Sequence, residues 1–457
     1  MRSLAVRGGR VVTSAGVAAA DVLILEGTIT GIVAPDAGQA REEIDARGLV
    51  VLPGVVDAHV HVNEPGRTEW EGWHAATRGA AAGGVTTIAD MPLNSVPPTL
   101  DGASFDAKYD AASNGAIVDF ALWGGLVDAD ERRLRELAAC GVVGVKAFTC
   151  PSGVDEFPHI RDGALASALA AATRAGLLVA VHCEDEATVS VSTAHLRRAA
   201  RRDARAWLES RPPEAERMAI AQLAEAARAT SAKVHVVHVS SHEAMRAVDR
   251  AQRIADLTAE TCPHYLAFDA ADLDEHGALL KCAPPIRSGE RDLLWRDILG
   301  PPPPFQRRVE YVASDHSPCS ADLKTRGERD IFEAWGGVSG LQSLLPVMLT
   351  EGVHGRGLAL PELAQLVATR PAKRLGIWPR KGEIRGGTDA DLVLVDLDAE
   401  WTLDREALQT RSGLSPYVGR RFRGRIARTI VRGRTVYADG TITGAPGGGW
   451  FVQRVNA

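Results

Sequence analysis

Apolar and polar residues alternate over short segments at both ends of the 457-residue chain. Near the start, residues 21–33 predict two strands joined at Glu26-Gly27. Near the other end, residues 391–396 predict another strand, and residues 426–437 predict a hairpin across Arg432-Gly433. Both ends are therefore expected to be rich in β-strands.

The middle of the chain has a different pattern, in which short apolar runs alternate with alanine-rich segments of helical periodicity. The runs that predict buried strands are 85–89, 117–123, 144–148, 177–181, 234–239 and 311–314. The segments that predict helices between them are 75–82, 132–139, 164–175 and 215–229. This alternation, over about 320 residues, indicates a parallel sheet with helical crossovers. The length favours a closed (β/α)8 barrel of the TIM type over an open sheet.

We therefore expect an α/β protein with a discontinuous small domain. Residues 53–375 are predicted to form the barrel. Residues 1–52 and 376–457 are predicted to pack together as a β domain built from both chain ends.

Composition and charge exclude several classes of protein. Hydrophobic residues make up 45% and charged residues 24%, which is typical of a globular chain. The net charge is −6 and there is no long run of Lys or Arg, so a nucleic-acid partner is not expected. No apolar run approaches the ~20 residues of a membrane span, and Arg7 and Arg10 interrupt any signal-peptide core. The six cysteines form no CxxC pair, which favours a reducing compartment and a cytoplasmic location.

Ionisable residues stand at the ends of several predicted strands, where the catalytic residues of barrel enzymes lie. His59 and His61 are two positions apart, so on a strand both imidazoles point the same way. The further candidates, each in or directly after an apolar run, are Lys146, His182, His238 and Asp315. Taken singly, each has a plainer interpretation, such as a core histidine, a paired lysine or a helix cap. Buried polar groups are costly without partners, however, and one shared metal centre would supply partners for all of them.

The ligand types indicate two divalent metal ions. Histidine nitrogens and a carboxylate suit Zn²⁺, and they also accept Co²⁺, Mn²⁺ or Fe²⁺. Five such ligands are too many for one tetrahedral ion, so a two-metal site is predicted. An ammonium group cannot ligate a metal, but two cations favour the neutral form of Lys146. Our hypothesis is that neutral Lys146 reacts with CO2 to give N6-carboxylysine, whose carbamate oxygens bridge the ions.

The chain resembles the metal-dependent amidohydrolase superfamily, in its cyclic amidohydrolase branch. The segments that carry the resemblance are 53–61, 84–88, 145–148, 182–184, 237–241, 260–265, 283–287, 314–318 and 387–392. The resemblance implies a (β/α)8 barrel, a β-sandwich made from both chain ends, and two zinc-like ions bridged by a carboxylated lysine. Carried over position by position, it implies the ligands His59, His61, Lys146, His182, His238 and Asp315.

Three groups of this branch hydrolyse a ring amide. Dihydroorotases carry Arg two residues after the second metal histidine, where this chain has Asn63, and dihydropyrimidinases carry Tyr five residues after the metal lysine, where it has Pro151. Segments 63–72, 90–99 and 148–157 are similar to those of allantoinases. A dihydropyrimidinase (hydantoinase) is the alternative. A non-catalytic relative of the same fold, which would bind no metal, is the third interpretation.

The allantoinase resemblance implies that a metal-activated hydroxide opens the hydantoin ring of allantoin to give allantoate. Asp315 would be a metal ligand and also carry the proton from the hydroxide to the leaving nitrogen; the plainer interpretation is a ligand only. Candidate substrate contacts are Asn94, Cys150, Ser152 and Ser317, although such residues often serve turns or cores instead. Residues 63–72 are predicted to be a mobile lid. A homo-oligomer, by family analogy a tetramer, is expected.

Overall fold

The computed structural model describes residues 2–161, 163–300 and 308–455. Within these ranges the strands, in chain order, are β1 (Ser3–Thr13), β2 (Gly16–Leu25), β3 (Thr28–Val33), β4 (Glu42–Asp45), β5 (Val50–Pro53), β6 (Val55–Val60), β7 (Val85–Asp90), β8 (Asp119–Leu122), β9 (Gly124–Gly125), β10 (Val145–Phe148), β11 (Val179–His182), β12 (Val234–Val236), β13 (Leu257–Thr261), β14 (Tyr311–Val312), β15 (Leu392–Thr402), β16 (Arg421–Val431), β17 (Arg434–Ala438) and β18 (Thr441–Ile442).

The α-helices of the same ranges are α1 (Trp73–Ala82), α2 (Gly102–Gly115), α3 (Glu131–Cys140), α4 (Leu165–Arg174), α5 (Glu186–Arg198), α6 (Ala204–Ser210), α7 (Pro213–Thr230), α8 (His242–Ala251), α9 (Pro263–Ala267), α10 (Leu273–His276), α11 (Glu290–Leu299), α12 (Ala321–Thr325), α13 (Leu344–Val347), α14 (Leu360–Ala364) and α15 (Arg370–Arg374). Wider, π-helical turns continue α13 over Met348–His354 and join α14 to α15 over Gln365–Thr369. Single 3₁₀ turns lie at Ala270–Asp272, Gly277–Leu280, Arg326–Glu328, Ile331–Glu333 and Leu341–Ser343.

The middle of the chain forms the expected (β/α)8 barrel. Strands β6, β7 and β8 pair in parallel, and so do β9 to β14 in sequence order. The two sheets meet where Val143 N, just before β10, donates to Leu122 O of β8 at 3.0 Å, and they close where His61 N donates to His316 O at 2.7 Å. Every residue of β6, β7, β8, β10 and β11 is buried. Strands covered on both faces read as continuous apolar runs, which is why the sequence pattern identified them.

Strands from both chain ends form one sheet of nine strands among the described residues. The joining element is β5, which pairs in parallel with β1 and antiparallel with β15. This sheet belongs to the β-sandwich expected from the two ends. The domain limits at residues 52–53 and 375–376 stay a prediction, with β5 ending at Pro53 and β6 beginning at Val55.

A buried ion cluster ties the terminal domain to the barrel. Lys381 Nζ donates to Asp119 Oδ2 of β8 at 2.5 Å and to Asp391 Oδ2 at 2.7 Å, and Arg432 Nε donates to the same Asp119 carboxylate. All these side chains are at most 8% exposed. Because each buried charge has an opposite charge beside it, the cluster can be kept in a low-dielectric environment and fixes the contact between the domains.

Three strands differ from the sequence prediction, and each difference bears on the site. The runs predicted as 234–239 and 311–314 end as strands at Val236 and Val312. His238 (φ 43°) and Asp315 (φ 46°) then adopt left-handed backbone conformations beyond the strand ends, which are costly for residues other than glycine. β13 was not predicted, because Thr258, Glu260 and Thr261 interrupt its apolar run.

No helix in the described part of the chain is long and apolar enough to cross a membrane. All six cysteines are free thiols.

Candidate active site

The six predicted ligands come together at the carboxyl ends of the barrel strands. His59 lies one residue before the end of β6 and His61 directly follows that strand, while Lys146 lies on β10 and His182 ends β11. All six residues line one cavity of about 360 Å³, and none of the residues is more than 9% exposed. The set is His59, His61, Lys146, His182, His238 and Asp315.

Within this set the ring nitrogens and the carboxylate are close enough to share ions. Asp315 Oδ1 lies 3.2 Å from His59 Nε2 and 3.5 Å from His61 Nε2. His182 Nδ1 lies 3.2 Å from His238 Nε2. The His59 and His238 ring centroids are 5.5 Å apart, so the two groups of ligands are neighbours in one centre.

The ligand atoms fit divalent metal ions. His59 Nε2, which faces Asp315, and Lys146 Nζ are buried and make no hydrogen bond. Buried polar atoms are nearly always paired, so two such atoms in one cavity indicate another partner there. Burial, followed by the charge of Lys146, lowers the pKa of His238 well below its usual value. The imidazole is therefore neutral, which is the form that ligates metals.

Lys146 has the surroundings that its predicted modification needs. Its side chain is fully buried, with Nζ 5.1 Å from the centroid of the Phe148 ring. Burial lowers the pKa of Lys146 to about 8, although Asp315 and Glu260 oppose the shift. An appreciable neutral fraction, the nucleophilic form of an amine, therefore exists near neutral pH.

Asp315 is ionised at neutral pH. Burial alone would raise its pKa, but His59 and His61 outweigh burial and lower the pKa to about 2. An ionised carboxylate can both ligate a metal and accept a proton.

A buried carboxylate that the sequence analysis left without a role orients the first histidine. His59 Nδ1 donates to Glu260 Oε1 at 2.6 Å, and the other Glu260 oxygen lies 3.2 Å from His235 Nε2. The main-chain N–H of His238 also donates to Glu260 Oε1, at 3.3 Å. Such contacts fix the tautomer of a ligating histidine and raise its basicity. The available signal was a glutamate inside an otherwise buried strand, β13.

A second carboxylate serves His182 in the same way. His182 Nε2 donates to Glu184 Oε2 at 2.7 Å, and Glu184 is also ion-paired with Arg211. Burial would raise the pKa of Glu184, but Arg211 and His182 lower it to about 2. The available signal was a glutamate two residues after His182, directly beyond the buried strand β11.

Three of the four predicted substrate contacts line the cavity, namely Asn94, Ser152 and Ser317. The Ser152 hydroxyl donates to Phe157 O at 2.6 Å, so it also closes a turn. The fourth, Cys150, is fully buried and is not among the residues that line the cavity. Burial raises the pKa of its thiol to about 12. The proposed lid over 63–72 is held to the cavity rim by Arg67, whose Nη1 donates to Asn94 O at 2.7 Å; its motion stays a prediction.

The rest of the cavity wall was not predicted. It comes from the segments that follow β11, β13 and β14 and is rich in aromatic and cationic side chains. Its members are Trp207, Arg211, Lys281, Phe332, Trp335 and their neighbours.

Known proteins resemble this chain over almost its full length. The amidohydrolase family matches residues 50–271 and 312–436. A protein of Rubrobacter xylanophilus named allantoinase is 48% identical over 97% of this chain and 96% of its own length. A protein of Solibacter usitatus with the same name is 46% identical over 100% of this chain and 98% of its own length.

Solved structures give the same fold. The L-hydantoinase (dihydropyrimidinase) of Arthrobacter aurescens superposes with a TM-score of 0.95 at 32% identity, covering 99% of this chain and 100% of that one. A buried set of histidines, a lysine and an aspartate at the strand ends of a (β/α)8 barrel, together with this similarity, shows that the chain belongs to the amidohydrolase family, in the branch of the allantoinases.

Proposed function

We propose that this protein hydrolyses the hydantoin ring amide of allantoin, giving allantoate. Membership of the family and the named relatives establish a hydrolase of cyclic amides. The observation that supports allantoin as the substrate is the sequence identity of 48% and 46% to two proteins named allantoinase, compared with 32% to the solved hydantoinase. Asn63 and Pro151, which replace the Arg and Tyr of the related groups, agree with this choice.

Two divalent ions, with Zn²⁺ the first choice, would be held by the six converging residues. Co²⁺, Mn²⁺ and Fe²⁺ suit the same ligands. Bound ions of this kind polarise a carbonyl and make water a stronger nucleophile at neutral pH. The unpaired Nε2 atom of His59 and the unpaired Nζ atom of Lys146 support this assignment. Buried Lys146, carboxylated by CO2, would supply the shared carboxylate.

The chain's own residues would manage the proton. Asp315 is ionised and lies among the ligands, so it can take the proton of the attacking water. It can then return that proton to the ring nitrogen as the C–N bond breaks. Glu260 and Glu184 would keep the imidazoles of His59 and His182 in the orientation that this needs.

The test is a turnover assay on the purified protein. Allantoin, hydantoin, dihydrouracil and dihydroorotate would be offered side by side, each with added Zn²⁺, Mn²⁺ or Co²⁺. We expect the highest kcat/KM for allantoin. Preferred turnover of dihydrouracil or hydantoin would overturn the proposal in favour of a dihydropyrimidinase. A protein that binds no transition metal and hydrolyses none of the four would be a non-catalytic relative.

We also propose that the protein works in the cytoplasm as a homotetramer. The free cysteines support a reducing compartment, and the family resemblance supports the assembly. Light scattering on the purified protein would give the number of subunits.

A further inference from the structure

A segment of the terminal domain reaches a buried glutamate beside the candidate active site. Residues 407–415 of this segment lie between β15 and β16. The Thr410 hydroxyl donates to Glu71 Oε2 at 2.6 Å, and the main-chain N–H of Arg411 donates to the same oxygen at 3.0 Å. Arg411 Nε also donates to the main-chain oxygen of Glu71, at 2.7 Å. Glu71, which lies two residues before α1, is thus fixed by segment 407–415.

The same segment holds a second stretch of the barrel chain, beyond β14. The Ser415 hydroxyl donates to Ser339 O at 2.7 Å, and Gln409 N donates to Gln342 Oε1 at 2.9 Å. These two bonds fix residues 339–342 at both ends.

His316 lies between the two stretches, with one ring nitrogen towards each. Its Nδ1 accepts the main-chain N–H groups of Gly340 at 3.2 Å and Leu341 at 3.4 Å. Nδ1 therefore carries no hydrogen, and the ring hydrogen is on Nε2. His316 Nε2 lies 3.4 Å from Glu71 Oε1, and the two side chains are 4% and 1% exposed. Segment 407–415 thus supports the partners on both edges of the imidazole.

The space between these groups is too small for a ligand. A cavity of about 10 Å³ remains, lined by Glu71, His316, Leu408 and Thr410 among others. This volume is close to the least that can hold one water molecule. The contacts therefore hold side chains in place instead of forming a binding pocket.

His316 is joined to two of the predicted metal ligands. Its main-chain oxygen accepts the N–H of His61 at 2.7 Å, and its own N–H donates to Ser314 Oγ at 3.1 Å. Asp315, between Ser314 and His316, has a left-handed φ of 46°. Such a conformation is costly for aspartate and persists where the neighbouring chain enforces it. The position of His316 therefore determines where Asp315 and His61 lie.

We propose that Glu71 is a positioning residue for the metal centre. Held by segment 407–415, it fixes the His316 imidazole, and through His316 it keeps Asp315 and His61 in the arrangement that binds metal. The terminal domain thereby contributes to a centre whose six predicted ligands all lie in the barrel. The inference rests on the proposed function for the metal ions, but not for the contacts among these residues.

The test compares Glu71→Gln and Thr410→Val with Thr429→Val as the matched control, each in the full chain. Glutamine keeps the size of Glu71, but with its oxygen towards Thr410 its NH₂ group faces the Nε2–H of His316, donor against donor. Thr410→Val removes one of the two donors that hold the Glu71 carboxylate. Thr429 makes an equivalent contact between the terminal domain and the barrel, since its hydroxyl donates to Ala81 O at 2.7 Å, but this contact does not involve Glu71.

Three quantities are measured with Co²⁺ as the metal. They are the Kd from competition with a chelator, the visible absorption spectrum of the bound ion, and kcat for allantoin at equal metal occupancy. The spectrum depends on the number and geometry of the Co²⁺ ligands, so a loss of stability alone leaves it unchanged.

We expect Glu71→Gln to shift the Co²⁺ spectrum and to raise the Kd of at least one ion about tenfold or more, the loss typical of a residue that supports a ligand. The value of kcat at equal occupancy should fall as well. Thr410→Val should change all three quantities in the same direction by less, and Thr429→Val should leave them at wild-type values.

A wild-type Kd and spectrum in Glu71→Gln, or equal changes in Thr429→Val, would overturn the proposal. If Glu71→Gln does not fold, Thr410→Val decides the question by the same measurements, and if neither folds Glu71 is structural and the proposal is wrong. A wild-type protein that binds Co²⁺ but does not hydrolyse allantoin would refute the proposed substrate, while the Kd and the spectra would still decide the role of Glu71. A wild-type protein that binds no Co²⁺ would overturn both proposals.

Discussion

Replacing Glu260 by glutamine should weaken metal binding without removing any ligand. Glu260 accepts the Nδ1–H of His59 at 2.6 Å and lies 3.2 Å from His235 Nε2. Glutamine has the same size but carries no charge, and its NH₂ group must face one of the two imidazoles. The ligand geometry should therefore survive while its electrostatic support is lost.

The size of the effect follows from the hydrogen bond. A bond to a charged acceptor contributes about 1.5–3 kcal/mol, and a neutral one about 0.5–1.5 kcal/mol. The difference is about 1–1.5 kcal/mol, and 1.4 kcal/mol corresponds to about a factor of ten in an equilibrium constant. We therefore expect the Kd of the more weakly held ion to rise about tenfold.

The assay is competition between the protein and a chelator of known affinity, followed by elemental analysis. Glu216→Gln is the matched control, because Glu216 is equally buried but bonds Ser240 and Arg287 instead of the metal histidines. It should lower stability and leave the metal Kd unchanged. A wild-type Kd in Glu260→Gln, or an equal rise in both variants, would refute the reasoning.

Three further predictions concern the centre. Lys146→Ala should lose at least one metal ion and most of the activity. Millimolar acetate or propionate, added with metal, should partly restore turnover of this variant. Two tightly held ions with substantial activity in Lys146→Ala would contradict the carbamate bridge. Asp315→Asn, compared with wild type at equal metal occupancy, should lose most of kcat, because an amide cannot carry the proton; normal kcat would leave Asp315 a ligand only. Glu184 has a pKa of about 2 in the folded protein against 4.5 ordinarily, so its stabilisation is present above about pH 4.5 and lost as the pH falls towards 2. Urea unfolding of the metal-free protein between pH 6 and 3 should therefore show a shallower pH dependence for Glu184→Gln than for wild type, and identical slopes would argue against this ion pair.

Much of the fold was determined by the sequence alone. Parallel strands buried on both faces must be apolar throughout, so runs such as 85–89 and 144–148 identified barrel strands directly. The strand β13 was not predicted, because Glu260, the carboxylate that contacts His59, interrupts its apolar run. The residues placed at the strand ends, from His59 to Asp315, also followed from the sequence, because a barrel brings those ends to one face.

Only the tertiary structure decided which side chains support the residues at the strand ends. His59 and Glu260 are 201 residues apart, and no local periodicity relates their positions. Lys281 likewise donates to the carbonyl of Ala334, a residue 53 positions away in the sequence. The local pattern of apolar and polar residues indicates whether a residue is buried. The partner of a buried polar group depends instead on how elements from separate parts of the chain pack together.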